Sequence, residues 1–224
     1  MSEMMLKEAA EKILCWFRQY GRKFPWRETK DQYKILISEV LLQKTRAETV
    51  GKFYERFLEK YPTFEKLGGS EVSEVESFIK PLGLAYRARR LVTIAKEIQT
   101  TYGGSIPNSI DKLLNLHGVG YYMAQAVLCF AFDQPIPLVD VNVMRILGRA
   151  FGIGSETEAR KILTIMLPRD HFKDFNWALI DVGAAICTPR NPRHHECPID
   201  HICKKYPIDP KKWKFLRKKR PHIA

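Results

Sequence analysis

No stretch of this sequence stays apolar long enough to cross a bilayer. The longest near-apolar run, Met123 to Phe132, is interrupted by Gln125 and falls far short of a membrane span. The first residues, MSEMMLKEAAEKILCWF, are amphipathic and broken by charges, so they lack the apolar core and cleavage site of a secretory signal. Together these absences predict a soluble intracellular protein with no membrane partner. Acidic side chains are the scarcer charge, 25 against 37 Lys plus Arg, which leaves a net charge of +12. Such a balance suits polyanions; charge alone does not choose between nucleic acid and an anionic membrane surface. There are only five cysteines, which in a reducing compartment points to free thiols or metal ligation and not to a disulfide framework. Cys15 and Cys129 sit in helical apolar contexts and are expected in the core, whereas Cys187, Cys197 and Cys203 crowd together late in the chain.

An alternating strand pattern is also missing. Apolar residues recur instead at the three-and-four spacing of a buried helix face, as in Leu6, Ala9, Ala10, Ile13, Leu14 and Phe17, and again in Leu91, Ile94, Ala95 and Ile98. Gly, Pro and Asn punctuate this pattern at Gly21 to Arg27, Tyr61 to Thr63, Pro81 to Gly83, Gly103 to Pro107, Asp133 to Pro137, Gly152 to Ser155 and Thr188 to Pro192. The expectation is an all-α protein of about nine or ten helices joined by short loops. With 224 residues, 45% of them hydrophobic, the chain suits one or two compact domains and can bury about 70% of its unfolded surface. There is no internal repeat, and the one biased segment is the basic tail Lys211 to Arg220. It either adds sequence-blind affinity for polyanions or is a solvated, frayed terminus.

Against this background the run Leu114-Asn115-Leu116-His117-Gly118-Val119-Gly120-Tyr121-Tyr122 stands out. Two glycines around a small apolar residue let the chain turn tightly and offer successive N–H groups at a helix N-terminus, where a phosphate can be held. A turn of this kind grips DNA without reading its sequence; an ordinary tight turn between core helices has the same pattern. Further on, Asp140 directly precedes the helical run Val141 to Phe151. Asp is a common N-cap. Near a DNA-gripping turn an ionised carboxylate has a second use, because breaking a glycosidic bond develops positive charge on the sugar that such a group can stabilise while orienting a water.

These residues resemble the endonuclease III-like helix-hairpin-helix glycosylases. The hairpin L-x-G-V-G is matched by Leu116 to Gly120, the following helix by Tyr121 to Phe132, and the motif V-D-x-N/H-x-x-R by Val139-Asp140-Val141-Asn142-Val143-Met144-Arg145. The likeness runs from about Phe24 to Tyr206. It implies that Asp140 is the catalytic aspartate and that His117, Gly118, Val119 and Gly120 contact DNA. Bifunctional members carry a lysine nucleophile where this chain has Tyr122. Tyrosine forms no Schiff base, so the resemblance implies a monofunctional enzyme using water and no efficient lyase.

Upstream, Pro25-Trp26-Arg27 precedes Tyr33-Lys34-Ile35-Leu36-Ile37-Ser38-Glu39-Val40-Leu41-Leu42-Gln43-Lys44-Thr45. On a helix Ile35 and Leu42 pack inward, which puts Glu39 among apolar neighbours, an expensive place for an unpaired carboxylate. Burial would raise its pKa and fit it to protonate a leaving base; alternatively it pairs with a nearby Arg or Lys. The segment is similar to the P-W-R and S-E-V-x-L-Q-x-T motifs of MutY adenine glycosylases and of mismatch thymine glycosylases. In them the glutamate lies in the base pocket, and the residue matching Gln43 wedges into the stack as the base leaves. Eversion costs a few kcal/mol, least at a mismatch. Lys44 and Arg46 depart from the adenine enzymes and lie closer to the thymine/uracil branch. With its end near residue 224, the protein is expected to lack the domain by which MutY enzymes read oxidised guanine, which counts against adenine excision.

From Cys187, six residues intervene before His194, two more before Cys197 and five before Cys203. Three thiolates and an imidazole can hold a cubane cluster or a tetrahedral zinc. The same family carries an iron–sulfur loop with this spacing and cysteine at all four places, and Pro189, Arg190, Pro192 and Pro198 also match its surroundings. The resemblance implies a [4Fe–4S] cluster with His194 as an unusual ligand; zinc, partial occupancy and substitution by His195 stay open. Arg190, Arg193, Lys204 and Lys205 would then be offered to phosphates.

The reading is thus an all-α, two-lobed helix-hairpin-helix glycosylase with a C-terminal metal-cluster loop. Residues 29–133 are expected to form a central helical barrel, and 1–28 with 134–224 a second lobe, Asp140 facing Glu39 across the DNA groove. The expected reaction is excision of thymine or uracil opposite guanine from double-stranded DNA by a monomer. The rivals are a MutY-like adenine glycosylase and a non-catalytic helix-hairpin-helix module that binds DNA structure.

Overall fold

The computed structural model describes residues 1–83 and 85–207. Among them are eleven α-helices, four short 3-10 turns and no strand, so the all-α expectation holds. The helix count exceeds that read from periodicity because α4 and α7, below, are single turns of five residues, too short to show a repeat. None of the helices is long and apolar enough to cross a membrane.

The chain divides into two compact units, one from Lys23 to Gln134 and the other combining Met1–Arg22 with the chain from Pro135 onward. The discontinuous unit begins with α1 (Glu3–Tyr20), capped by the Ser2 hydroxyl, which accepts from the Met5 N–H. Its buried stripe is Leu6, Ala9, Ala10, Ile13 and Leu14. Cys15, expected in the core, is instead exposed: it follows Leu14 by one residue, about 100° around the helix, and so falls off the stripe.

The central unit carries α2 (Gln32–Leu42), α3 (Ala47–Lys60), α4 (Phe64–Gly68), α5 (Val72–Ile79), α6 (Tyr86–Tyr102), α7 (Ile110–Leu114) and α8 (Tyr121–Ala131). Asp31 starts α2 by accepting from the Lys34 N–H. From Ile35 to Leu41 every residue of α2 is buried. A helix apolar around its whole circumference lies in the interior, and α2 therefore carries Glu39 inside with it, packed against α3, α6 and α8. Aromatic contacts brace this arrangement: Tyr33 meets Phe64 edge-on at 4.7 Å, and Trp26 meets Tyr54 edge-on at 5.3 Å.

Returning to the first unit, α9 (Val141–Phe151), α10 (Glu156–Met166) and α11 (Phe172–Ala185) complete it. Ser155 and Glu158 form a reciprocal capping box at the start of α10. α1 packs on α10 and α11, and Val143, Met144 and Leu147 of α9 join Phe175, Leu179 and Val182 of α11 in one apolar core. At the end of α1 the fully buried Asp181 carboxylate accepts from the Arg22 N–H, Nε and Nη2 at 2.8, 2.8 and 2.6 Å. This multiply bonded pair pins the chain where it leaves α1; an isolated buried charge there would be strongly destabilising.

Candidate active site

Asp140 owes its position to the segment before it. The Asn176 side chain of α11 accepts from the Leu138 N–H at 2.9 Å and donates to the Ile136 carbonyl at 2.9 Å, fixing the backbone that leads to Asp140. Asp140 then takes an extended conformation and caps α9. Oδ1 accepts from the N–H groups of Asn142 (2.9 Å) and Val143 (2.8 Å), and Oδ2 from Asn142 Nδ2 (2.8 Å). Burial raises the Asp140 carboxyl above its ordinary range, while these three bonds and the Arg145 charge pull it back down. All three partners are donors, the set that suits an ionised, acceptor-only carboxylate at the positive end of a helix.

The bonding continues beyond the carboxylate. Asn142 Oδ1 accepts from Arg145 Nη2 at 2.6 Å, and buried Arg145 also donates to the Gly183 carbonyl (2.7 Å) and, through Nε, to the Cys187 carbonyl (2.6 Å). α11 approaches closely here: a β-carbon on Gly183 would stand 2.6 Å from Asn142 Cβ. Asn142 and Arg145 are visible in the motif V-D-V-N-V-M-R, but their role in holding Asp140 is not, since their other partners lie far along the chain.

Glu39 is only 9% exposed, and burial pushes its carboxyl up to about 7. No described residue hydrogen-bonds or ion-pairs with it, so of the two readings of the sequence the unpaired one describes its surroundings. Such a group carries a proton to give near neutral pH. Tyr122 is half-buried in the first turn of α8.

The hairpin joins α7 to α8, and its two glycines differ. Gly118 has φ +77°, and a β-carbon there would lie 2.1 Å from Arg90 Nε; only glycine fits. Gly120 has φ −98° and caps α8 with open space beside it, so nothing in the fold demands a glycine, and its backbone is open to close approach from outside. The expectation of successive free N–H groups needs correction. The His117 N–H donates to Glu97 Oε2 at 2.7 Å and that of Val119 to the Leu116 carbonyl at 3.1 Å; those of Gly118 and Gly120 meet no described acceptor. Gln43 ends α2, its amide oxygen accepting from Arg90 Nη1, and exposed Lys44 takes the left-handed region at φ 55°.

In the late loop, burial pushes the Cys197 thiol up to about 11, with Cys187, Cys203 and Asp200 adding to the rise, and raises Cys203 with Cys187 adding again. Thiolates are metal ligands, and a bound cation would favour the deprotonated form that burial here disfavours at Cys197 and Cys203. The three thiols do not meet at one point: among the described residues no three His, Cys, Asp or Glu side chains converge on a single-ion position. His194 lies on the 3-10 turn His194–Glu196, its Nδ1 4.0 Å from Asp200 Oδ1. Arg149 holds the loop's first half, donating to Cys187 Sγ (3.3 Å) and to the carbonyls of Thr188 (2.7 Å) and Pro189 (3.0 Å).

Two cations expected to face phosphates are engaged elsewhere. Arg193 donates twice to the Ala185 carbonyl at the end of α11 and pairs with Glu196, and Lys205 pairs with the Asp200 carboxylate at 2.9 Å. Arg190 is exposed. The basic tail Lys211 to Arg220 lies outside the described residues.

Residues 37–168 match the HhH-GPD superfamily base excision DNA repair protein family, a span that includes Glu39, the hairpin, Tyr122 and Asp140. Residues 187–203 match the iron-sulfur binding domain of endonuclease III. The chain is 41% identical to the thymine-DNA glycosylase of Aeropyrum pernix, over 88% of this chain and 94% of that one. It is 37% identical to the thymine/uracil-DNA glycosylase of Methanothermobacter thermautotrophicus, over 87% and 91%. The solved structure of a thermostable thymine-DNA glycosylase superposes with a TM-score of 0.84 at 36% identity, covering 91% of this chain and 97% of that one. By sequence and fold alike, the chain belongs to the HhH-GPD superfamily of base excision DNA repair proteins.

Proposed function

We propose that this protein is a monofunctional DNA glycosylase that hydrolyses the N-glycosidic bond of thymine or uracil mispaired with guanine in double-stranded DNA. The observation that carries the proposal is the Asp140 carboxylate, fixed by three donors at the N-terminus of α9, within a chain most of whose length aligns with thymine- and thymine/uracil-DNA glycosylases. The hairpin, through the free N–H groups at Gly118 and Gly120, holds a phosphate, with exposed His117 beside them; exposed Arg190 offers its charge to the DNA backbone. Gln43 and Lys44 fill the space left by the everted base. Glu39, with a carboxyl near 7, donates a proton to the departing base. The Asp140 carboxylate stabilises the cation developing on deoxyribose and orients the water that completes hydrolysis. Tyr122 offers no amine, so no covalent sugar intermediate forms and the abasic strand stays intact.

Cys187, Cys197 and Cys203, with His194 as fourth ligand, would hold a [4Fe–4S] cluster. When bound it supplies no step of the hydrolysis; it ties residues 187–203 into one structural loop. The protein works as a monomer inside the cell, at the nucleoid.

An oligonucleotide panel tests the substrate: G·U and G·T duplexes should lose their pyrimidine, whereas cleavage only of adenine opposite 8-oxoguanine would replace this reading with the adenine one. Iron and acid-labile sulfide in the purified protein are expected in near-equal amounts; zinc alone would overturn the cluster assignment.

A further inference from the structure

Two arginines one turn apart on α6 reach three separate loops of the central unit. Arg87 is fully buried, yet its partners are carbonyls and not carboxylates. Nη1 donates to Leu41 at the end of α2, and Nη2 to Leu82 and Gly83 at 2.7 Å each, in and after the 3-10 turn Lys80–Leu82. Arg87 thus closes the C-terminal carbonyls that precede the Gln43 loop.

Arg90 goes further. Its Nη1 donates to Gln43 Oε1, its guanidinium lies over the Tyr86 ring at 5.3 Å, and the Gly118 backbone comes so close that a β-carbon there would meet Nε at 2.1 Å and Cδ and Cζ at 2.8 Å. One rigid fork therefore touches both the side chain that follows the base out of the stack and the turn that grips the backbone. The Gln43 loop needs such support: Lys44, next to it, sits in the left-handed region that non-glycine residues adopt only when their surroundings compel it. A long amide side chain without a partner would sample many rotamers and lose that freedom on entering the duplex.

We propose that Arg90 is a positioning residue for base eversion, holding Gln43 in fixed register with the hairpin at Gly118 so that gripping the backbone also aims the wedge. The proposal rests on the reading of Gln43 and the hairpin given above. Its prediction is non-additivity.

In single-turnover excision from a G·U duplex, Arg90→Met and Gln43→Ala should each lower the rate about tenfold. Arg90→Met in the Gln43→Ala background should then cost less than twofold. Arg90→Lys, which keeps the charge but loses the fork, should behave like Arg90→Met. The fluorescence of 2-aminopurine beside the mismatch should rise in the wild type and be blunted in both Arg90 variants. This signal reports eversion whether or not a base is released, so a wild type that excises neither thymine nor uracil would sink the proposed activity without deciding the role of Arg90. Additive losses, full activity in Arg90→Lys, or an undiminished 2-aminopurine signal would each overturn the proposal. Comparing the two Arg90 variants by thermal melting separates misfolding from loss of positioning.

Discussion

Asp140 and Glu39 are both carboxyl groups withdrawn from water, and the two units treat them in opposite ways. Around Asp140, burial raises the carboxyl and three donors and a nearby guanidinium oppose that rise in part; around Glu39 burial acts alone and lifts the group to about 7. The same chemical group is thereby suited to two tasks, a negative charge held in place and a proton ready to leave. Acid and base roles diverge wherever neighbouring environments push two carboxyl pKa values apart.

The largest effect should come from removing the charge while keeping the cap. Asn caps helices about as well as Asp, so Asp140→Asn should fold normally and lose excision of G·U by on the order of 10³-fold, measured under single turnover. Retention of full activity would show that the cap is all Asp140 provides. Glu39→Gln should lose roughly 10²-fold yet gain stability. A carboxyl raised from 4.5 to about 7 favours the folded state's proton, so wild-type stability falls as pH rises from about 4.5 to about 7 and then levels. At about 1.4 kcal/mol per pH unit, Glu39→Gln should be more stable than the wild type by about 3 kcal/mol at pH 8 and by nearly nothing at pH 4. Denaturant melts at both values decide this, and an equal difference at the two pH values would mean Glu39 has a partner in solution. The smallest effect probes the surroundings of Asp140. Gly183→Ala pushes against Asn142 Cβ and should weaken excision about tenfold by misplacing the carboxylate, leaving the alkaline side of the pH profile unchanged.

The contrast between the carboxylates was partly legible in the sequence. Asp140 reads as a cap because it precedes an unbroken helical pattern, and α9 begins at Val141 as that pattern predicts. Glu39 reads as buried because apolar residues flank it within α2. What periodicity does not carry is the set of partners. Arg87, Arg90, Arg145 and Arg149 look like ordinary cations, and each acts through carbonyls or amides distant in the chain. Cys15 shows the same limit on a smaller scale, since one step around α1 moves a side chain from core to solvent. The hairpin string G-V-G was readable as a turn, but only the dihedral angles show that Gly118 answers to an internal neighbour and Gly120 does not.

The most direct test of the two-carboxylate account is the single-turnover pH–rate profile on a G·U duplex for the wild type and Glu39→Gln. The wild type should fall away above a pKa of about 7, and this alkaline limb should vanish in Glu39→Gln while the acid limb persists. An identical alkaline limb in both proteins would show that the proton given to the base does not come from Glu39.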